Sequence, residues 1–116
     1  MNKTCSINKS KTTWGTVWKI RSKTSLFYFS MWIYDDDPDD IYLGDVFVNK
    51  IARGQGLGNQ ILKLSEEFAV EQGASQLRLK VSKNNTFAHK WYMRHGFEDM
   101  RYDKDEPIYM WMSKLV

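Results

Sequence analysis

Cysteine is almost missing from this chain of 116 residues, which holds one, Cys5, and only two prolines. A lone cysteine excludes an internal disulfide, and no His or acid lies near it in sequence to make it a nucleophile. It reads as a bystander in a polar segment, as suits a reducing cytoplasm. No apolar run approaches the roughly 20 residues of a membrane span, and the N-terminus has no hydrophobic stretch of a secretory signal. Repeats, linkers and low-complexity tracts are absent too. Net charge is small, +3, with an uneven distribution: residues 1–34 contain six Lys/Arg and no acid, leaving −3 on the rest. Basic residues interleaved with Trp14, Trp18 and Trp32 can stack nucleic-acid bases. Strand alternation explains those aromatics equally well, and the acidic run Asp35, Asp36, Asp37, Asp39 and Asp40 around Pro38 repels phosphate, so no nucleic-acid partner is expected. That acidic run reads first as a solvated hairpin tip and second as an attractor of a cationic acceptor.

What is present points to one packed domain: 42% of residues are hydrophobic and 15% aromatic, enough for a single core. Residues 1–13 read as a polar N-terminal tail and 14–116 as the domain. Runs at 14–21 and 26–34, joined by Ser22-Lys23-Thr24-Ser25, predict a hairpin, and 41–48 a third strand. Leu57, Ile61, Leu64, Ser65 and Phe68 recur at helical spacing and predict a helix over 57–72, with Gly73 ending it. A strand at 77–82, a helix at 85–95 and strands at 97–102 and 108–114 complete the order.

The segment Val48-Asn49-Lys50-Ile51-Ala52-Arg53-Gly54-Gln55-Gly56-Leu57-Gly58 runs from strand to helix through a glycine-rich turn. Such a turn lets main-chain amides approach a ligand without Cβ obstruction. The first helical turn offers unpaired N–H groups and a positive dipole end, and Arg53 adds a permanent cation. The feature predicts a phosphate cradle. It is not a Walker loop, because Asn59 and Gln60 follow the last glycine in place of Lys-Ser/Thr. Nor is it a dinucleotide fingerprint, because the spacing is Gly-x-Gly-x-Gly and Ser82-Lys83 close the next strand where an acid belongs. What remains, Arg-x-x-Gly-x-Gly between strand and helix, resembles the pyrophosphate-binding motif of the GNAT (GCN5-related N-acetyltransferase) superfamily. A second element, Asn85 to Phe97, is similar to that superfamily's Asn-x-x-Ala-x-x-x-Tyr-x-x-x-Gly-Phe pattern through Asn85, Ala88, Tyr92, Gly96 and Phe97.

The resemblance implies an α+β fold of GNAT type. Its sheet is mixed and mostly antiparallel, with a parallel pair around the cofactor cleft and two helices, and it lacks the usual N-terminal strand and helix pair. It implies an acetyl-CoA-dependent N-acetyltransferase acting on a primary amine, small or protein-borne. Arg53 and the amides of Gly54, Gln55, Gly56, Leu57, Gly58 and Asn59 would hold the pyrophosphate. Val46 and Val48 would offer main-chain groups to the pantetheine arm, Asn85 would contact that arm, and Lys83, Lys90 or Arg94 would meet the 3′-phosphate. Tyr92 would be the general acid, since a phenol keeps its proton near neutrality; no metal is implied.

Tyr42-Leu43-Gly44-Asp45-Val46-Phe47-Val48 resembles the Tyr-Leu-Glu-Asp-x-Phe-Val strand of spermidine/spermine-type acetyltransferases, but Gly44 stands in place of the Glu that often deprotonates the acceptor. Asp45 is the catalytic candidate beside it, although alternation points it to the opposite face unless a bulge intervenes. Tyr42, a water chain or an already neutral amine are the other sources of a base. His89 and His95 read as surface or capping residues. Strand 26–34 is apolar on both faces, and without the helix pair one face needs cover, so a homodimer or partner-bound state is expected. The alternative function is a non-catalytic acyl-CoA-binding module that serves as a sensor or partner subunit.

Overall fold

A computed structural model describes residues 4–116. Strand β1 is Cys5–Lys11, β2 Gly15–Ser22, β3 Phe27–Tyr34 and β4 Asp40–Val48; a short 3-10 turn, Lys50–Ala52, leads to helix α1, Leu57–Glu71; then come β5 Gln76–Ser82, α2 Thr86–Arg94, β6 Glu98–Tyr102 and β7 Tyr109–Leu115. The strands form one sheet in the order β1-β2-β3-β4-β5-β7-β6. All neighbours are antiparallel except β4 and β5, which α1 connects in parallel. The mixed α+β architecture matches the expected one.

One expectation fails. The segment read as a polar tail is in part strand β1, paired along its whole length with β2. Thr12 makes the connection tight: its hydroxyl oxygen accepts hydrogen bonds from the Trp14 and Gly15 amides. An N-terminal edge strand is therefore present although it was expected to be lacking, and, as expected, no helix pair follows it: a turn of three residues, Thr12 to Trp14, joins β1 to β2. Cys5 is not in a polar tail either; it is 7% exposed and belongs to the core. The sequence hides β1 because every later residue of the strand is exposed, so no alternation of apolar and polar residues marks it.

Both helices pack on one face of the sheet. Trp18, Ile20, Phe27, Phe29, Met31, Ile41 and Leu43 point to that face and meet Ile61, Leu64, Phe68 and Ala69 of α1. Trp18 packs edge-on to Phe68, ring centroids 5.3 Å apart. This core is what the period of α1 anticipates: its buried side chains recur three and four apart. On the hairpin between β2 and β3, Ser22 Oγ accepts from the amides of Leu26 and Phe27, fixing the register that sends the odd residues of β3 inward.

The opposite face carries no helix among the described residues. There Tyr28 stacks on Phe47 at 5.0 Å and Trp32 on Tyr42 at 5.9 Å. Tyr28 and Phe47 remain 42% and 41% exposed. At the start of β4, Asp40 pairs with Arg78 at 2.8 Å, so one member of the acidic run is a structural ion pair. Burial and a hydrogen bond with Asp37 raise the Asp40 pKa, against the pull of Arg78. Of the other acids of the run, Asp37 is half-buried beside Asp40, Asp35 meets Lys11 across the surface at 3.4 Å, and Asp36 and Asp39 are exposed turn residues.

Candidate active site

The parallel pair is short. Only Asp40, Ile41 and Tyr42 of β4 register with Gln76, Leu77 and Arg78 of β5. Beyond them the two strands part, so the β4 edge from Leu43 to Val48 lacks a β5 partner. Into this split open a small cavity of about 50 Å³, lined by Leu43, Val46, Gly58, Ile61, Leu62, Trp91 and Tyr92. Motif residues from three separate segments thus meet at one place.

At the mouth, the chain leaves β4 through the 3-10 turn, which Asn49 caps by accepting from the Ile51 amide at 3.2 Å. Gly54 and Gly56 then take left-handed conformations, φ 81° and 76°, which L side chains resist. Gly56 is the N-cap of α1, and no side chain caps the helix. The first helical hydrogen bond runs from the Gln60 amide to the Gly56 carbonyl, leaving the amides of Leu57, Gly58 and Asn59 ahead of it. No acid lies in the first turn. A helix start with Asp or Ser at the cap would fill its own anion seat; this one leaves it open to solvent. Gly58 differs from the other two glycines: it is helical, and a Cβ there would make ordinary van der Waals contact with the Trp91 indole at 3.7 Å. Arg53 donates from Nε to the Val48 carbonyl at 3.3 Å, which holds its guanidinium at this mouth and occupies one of the strand groups expected to face a ligand.

The geometry of α2 explains the Tyr-x-x-x-Gly-Phe spacing. Gly96 has φ 92°, its amide bonds the Met93 carbonyl, and the Phe97 amide bonds the Tyr92 carbonyl. This is a Schellman ending, in which the residue beyond the glycine packs on the one five positions earlier. Here that contact is Phe97 edge-on to Tyr92, centroids 5.6 Å apart. The spacing is therefore a cap that holds the Tyr92 ring against the core while one side lines the cavity. Burial raises the Tyr92 pKa, and its hydroxyl has no hydrogen-bond partner among the described residues. Asn85 caps the other end of α2, its Oδ1 accepting from the Ala88 amide at 3.1 Å, which leaves the side-chain NH2 for a ligand. Lys83 lies over the Tyr102 ring at 5.7 Å; Lys90 and Arg94 are exposed. His89 pairs with Asp99 at 2.7 Å, and His95 ends α2 against Trp91.

On β4 a bulge does intervene. The register passes from Tyr28 opposite Phe47 to Ser30 opposite Gly44, so Phe29 faces two residues, and Asp45 stands at φ 50°. A non-glycine residue held there costs about 1–3 kcal/mol and is commoner at functional sites. The bulge turns Asp45 to the bare face of the sheet, where it borders an open groove of about 620 Å³ over β1, β2 and β3. Its neighbour Val46 lines the cavity on the other side. The two openings adjoin at residues 45 and 46. Gly44 has a reason the sequence did not show: a Cβ there would lie 2.5 Å from the Trp32 indole, so the ring fills the place of a side chain. Tyr42 is a poor base, because burial raises its pKa and keeps the phenol protonated, outweighing the lowering effect of Arg78 Nη1, 3.5 Å from its oxygen. No cluster of metal-binding side chains occurs among the described residues.

Comparison with known proteins gives a consistent picture. Residues 27–97 match the model of the acetyltransferase (GNAT) family. The thialysine N-epsilon-acetyltransferase of Bos taurus is 40% identical over 75 residues, covering 65% of this chain and 43% of that protein. The chain thus spans under half the length of that curated relative. A GNAT family acetyltransferase from Elizabethkingia anophelis, with acetyl-CoA bound, superposes with a TM-score of 0.72 at 12% identity, covering 99% of this chain and 100% of the other. An IAA acetyltransferase from Bacillus cereus does so with a TM-score of 0.71 at 14% identity, over 88% and 78%.

Proposed function

We propose, from the premise that this chain belongs to the acetyltransferase (GNAT) family, that it transfers the acetyl group of acetyl-CoA to a primary amine. The observation that carries the reading is the uncapped start of α1 beside the split between β4 and β5, with Tyr92 lining the same split. In this reading the amides of Leu57, Gly58 and Asn59, with Arg53, hold the pyrophosphate. The free edge of β4 around Val46 orients the thioester arm, and the Asn85 amide and Lys83, Lys90 or Arg94 meet the rest of the cofactor.

Acetyl-CoA supplies an activated acyl carbon. The neutral amine nitrogen bonds to that carbon, the carbon–sulfur bond breaks, and the departing sulfur takes a proton from the Tyr92 hydroxyl. Asp45, or water ordered at the bulge, accepts the proton the amine gives up, and Tyr92 regains its own from solvent. Bos taurus thialysine N-epsilon-acetyltransferase makes side-chain ε-amines of free amino acids the first acceptors to test. Release of free thiol from acetyl-CoA in the presence of an amine panel is expected, at a rate set by the amine. Saturable acetyl-CoA binding with no thiol release across amino acids, polyamines, aminoglycosides and lysine peptides would instead establish the non-catalytic acyl-CoA-binding module. The observation favouring that second reading is the Trp32 ring over Gly44, which leaves no carboxylate at residue 44.

The end of the bare sheet face away from the groove supports a homodimer, with a second copy laid over Trp14 and Tyr34, both at least 36% exposed. Sedimentation equilibrium is expected to give twice the 13.7 kDa chain mass; a single-chain mass at every concentration contradicts the dimer. The buried free thiol of Cys5 accords with a cytoplasmic setting, and no helix among the described residues is long and apolar enough to cross a membrane.

A further inference from the structure

The groove on the bare face is built by the sheet register. Asn8, Lys19, Ser30 and Gly44 form one row across four strands, and Ser6, Arg21, Tyr28 and Phe47 form the next. Large aromatics occupy the β3–β4 end of the second row and of the row on the other side, where Trp32 stacks on Tyr42. Between them the small Ser30, 5% exposed, leaves a depression. Its charges are segregated. Asp45 stands at one end, on the bulge that also presents Val46 to the cofactor split. Lys19 and Arg21 project from β2 toward the same groove, two strands or about 10 Å away by sheet spacing. Neither cation forms an ion pair with an acid among the described residues. Among the other strand cations, Lys11, Arg78 and Lys114 have carboxylate partners, while Lys9 and Lys80 lie over aromatic rings.

We propose that this groove is the acceptor site and selects amines that also carry an anionic group, with the amine at Asp45 and the anion between Lys19 and Arg21. The inference rests on the acetyl-transfer reading for its chemistry, but the site itself is a matter of binding. A zwitterion fits where a polyamine does not: one carboxylate receives one ammonium, and the second ammonium of a diamine would face two cations. The side chain of Asn8 lines the far end and can donate to the anion, while the Ser6 hydroxyl beside it donates to the Arg21 carbonyl. Lys19 and Arg21 are thus specificity-determining residues that take no part in the bond changes.

The test uses three acceptors of similar length: 6-aminohexanoate, hexylamine and cadaverine. Thiol release is expected to show a kcat/KM for 6-aminohexanoate roughly tenfold or more above the other two, the scale of a charge-assisted contact. Lys19→Gln combined with Arg21→Gln should erase that preference, while the charge-keeping pair Lys19→Arg and Arg21→Lys retains it. Acetyl-CoA affinity by calorimetry reports that each variant is folded. Equal kcat/KM for the three amines, or a preference for cadaverine, overturns the proposal and leaves acetyl transfer standing. If none is acetylated, calorimetry with the CoA-loaded protein decides. Saturable 6-aminohexanoate binding that the double Gln variant loses supports the site while overturning transfer; no binding overturns both.

Discussion

Gly56→Glu is expected to abolish acetyl-CoA binding, with an affinity loss of at least a hundredfold by calorimetry and no thiol release at any accessible concentration. Two effects act together, and their sizes show which dominates. Gly56 has φ 76°, and a side chain forced into that conformation costs about 1–2 kcal/mol. A Cβ would meet nothing within 4 Å, so packing is not at issue and the helix beyond it should survive. The larger effect is charge. The Glu carboxylate would lie at the start of α1, where the amides of Leu57, Gly58 and Asn59 have no cap. It would satisfy those amides itself and repel the pyrophosphate, replacing an open anion seat with a filled one. Gly56→Ala separates the two effects: it brings the backbone strain without the charge and should weaken binding by about tenfold at most. Near-normal binding by the Glu variant would mean that phosphate lies elsewhere.

Tyr92→Phe is expected to lower kcat by about a hundredfold to ten-thousandfold, the usual worth of a positioned general acid. The Kd for acetyl-CoA should change by less than about twofold, because the phenyl ring keeps its contact with Phe97 and the lost hydroxyl has no hydrogen-bond partner among the described residues. That pattern, a fall in kcat without a fall in affinity, marks an interaction made only in the transition state. The pH dependence has a definite sign. Burial raises the Tyr92 pKa above the ordinary value of 10.0, so the acid form persists to higher pH than a free phenol would allow. The wild-type rate should therefore show no alkaline loss due to this group below about pH 10. An alkaline limb that falls well below that value and disappears in the Phe variant would make Tyr92 a group of lowered pKa, against its buried setting. Turnover at the wild-type rate would remove Tyr92 from the chemistry altogether.

Much of this was legible in the sequence, for reasons that differ from element to element. Helix α1 was clear because its apolar residues face a single sheet, giving an unbroken period from Leu57 to Phe68. The glycine loop and the Tyr92–Phe97 segment were legible because their backbone geometry depends on glycine at fixed positions, which leaves a mark in the chain. Strand β1 was not, since an edge strand exposed on both faces has no pattern to read. The bulge at Asp45 was conceivable from Gly44 but undecidable, because the residue that gives Gly44 its purpose, Trp32, lies on another strand. Tyr42 could not be weighed as a base without its partner Arg78, 36 positions away in the chain. The groove was missed altogether, although one signal was available. Ser30 interrupts the outward aromatics Tyr28, Trp32 and Tyr34, and a small residue in such a stripe marks a depression once the neighbouring strands are in register.

The same contrast bears on how the site is built. Most groups assigned to the cofactor sit on elements whose position is fixed locally, a helix start, a capped helix and the end of a 3-10 turn; Val46, on the β4 bulge, is the exception. The acceptor side depends on register across four strands and on one bulge. Donor binding should therefore tolerate change in β1 to β3, whereas acceptor choice should follow it.

The most direct test is a titration of isotope-labelled protein with acetyl-CoA, followed through the backbone amide resonances. Saturable, concerted shifts of Leu57, Gly58 and Asn59, with smaller movements of Gly54 to Gly56, are the predicted result. Binding that leaves those three amides unmoved while others shift would place the diphosphate away from the start of α1 and contradict the account.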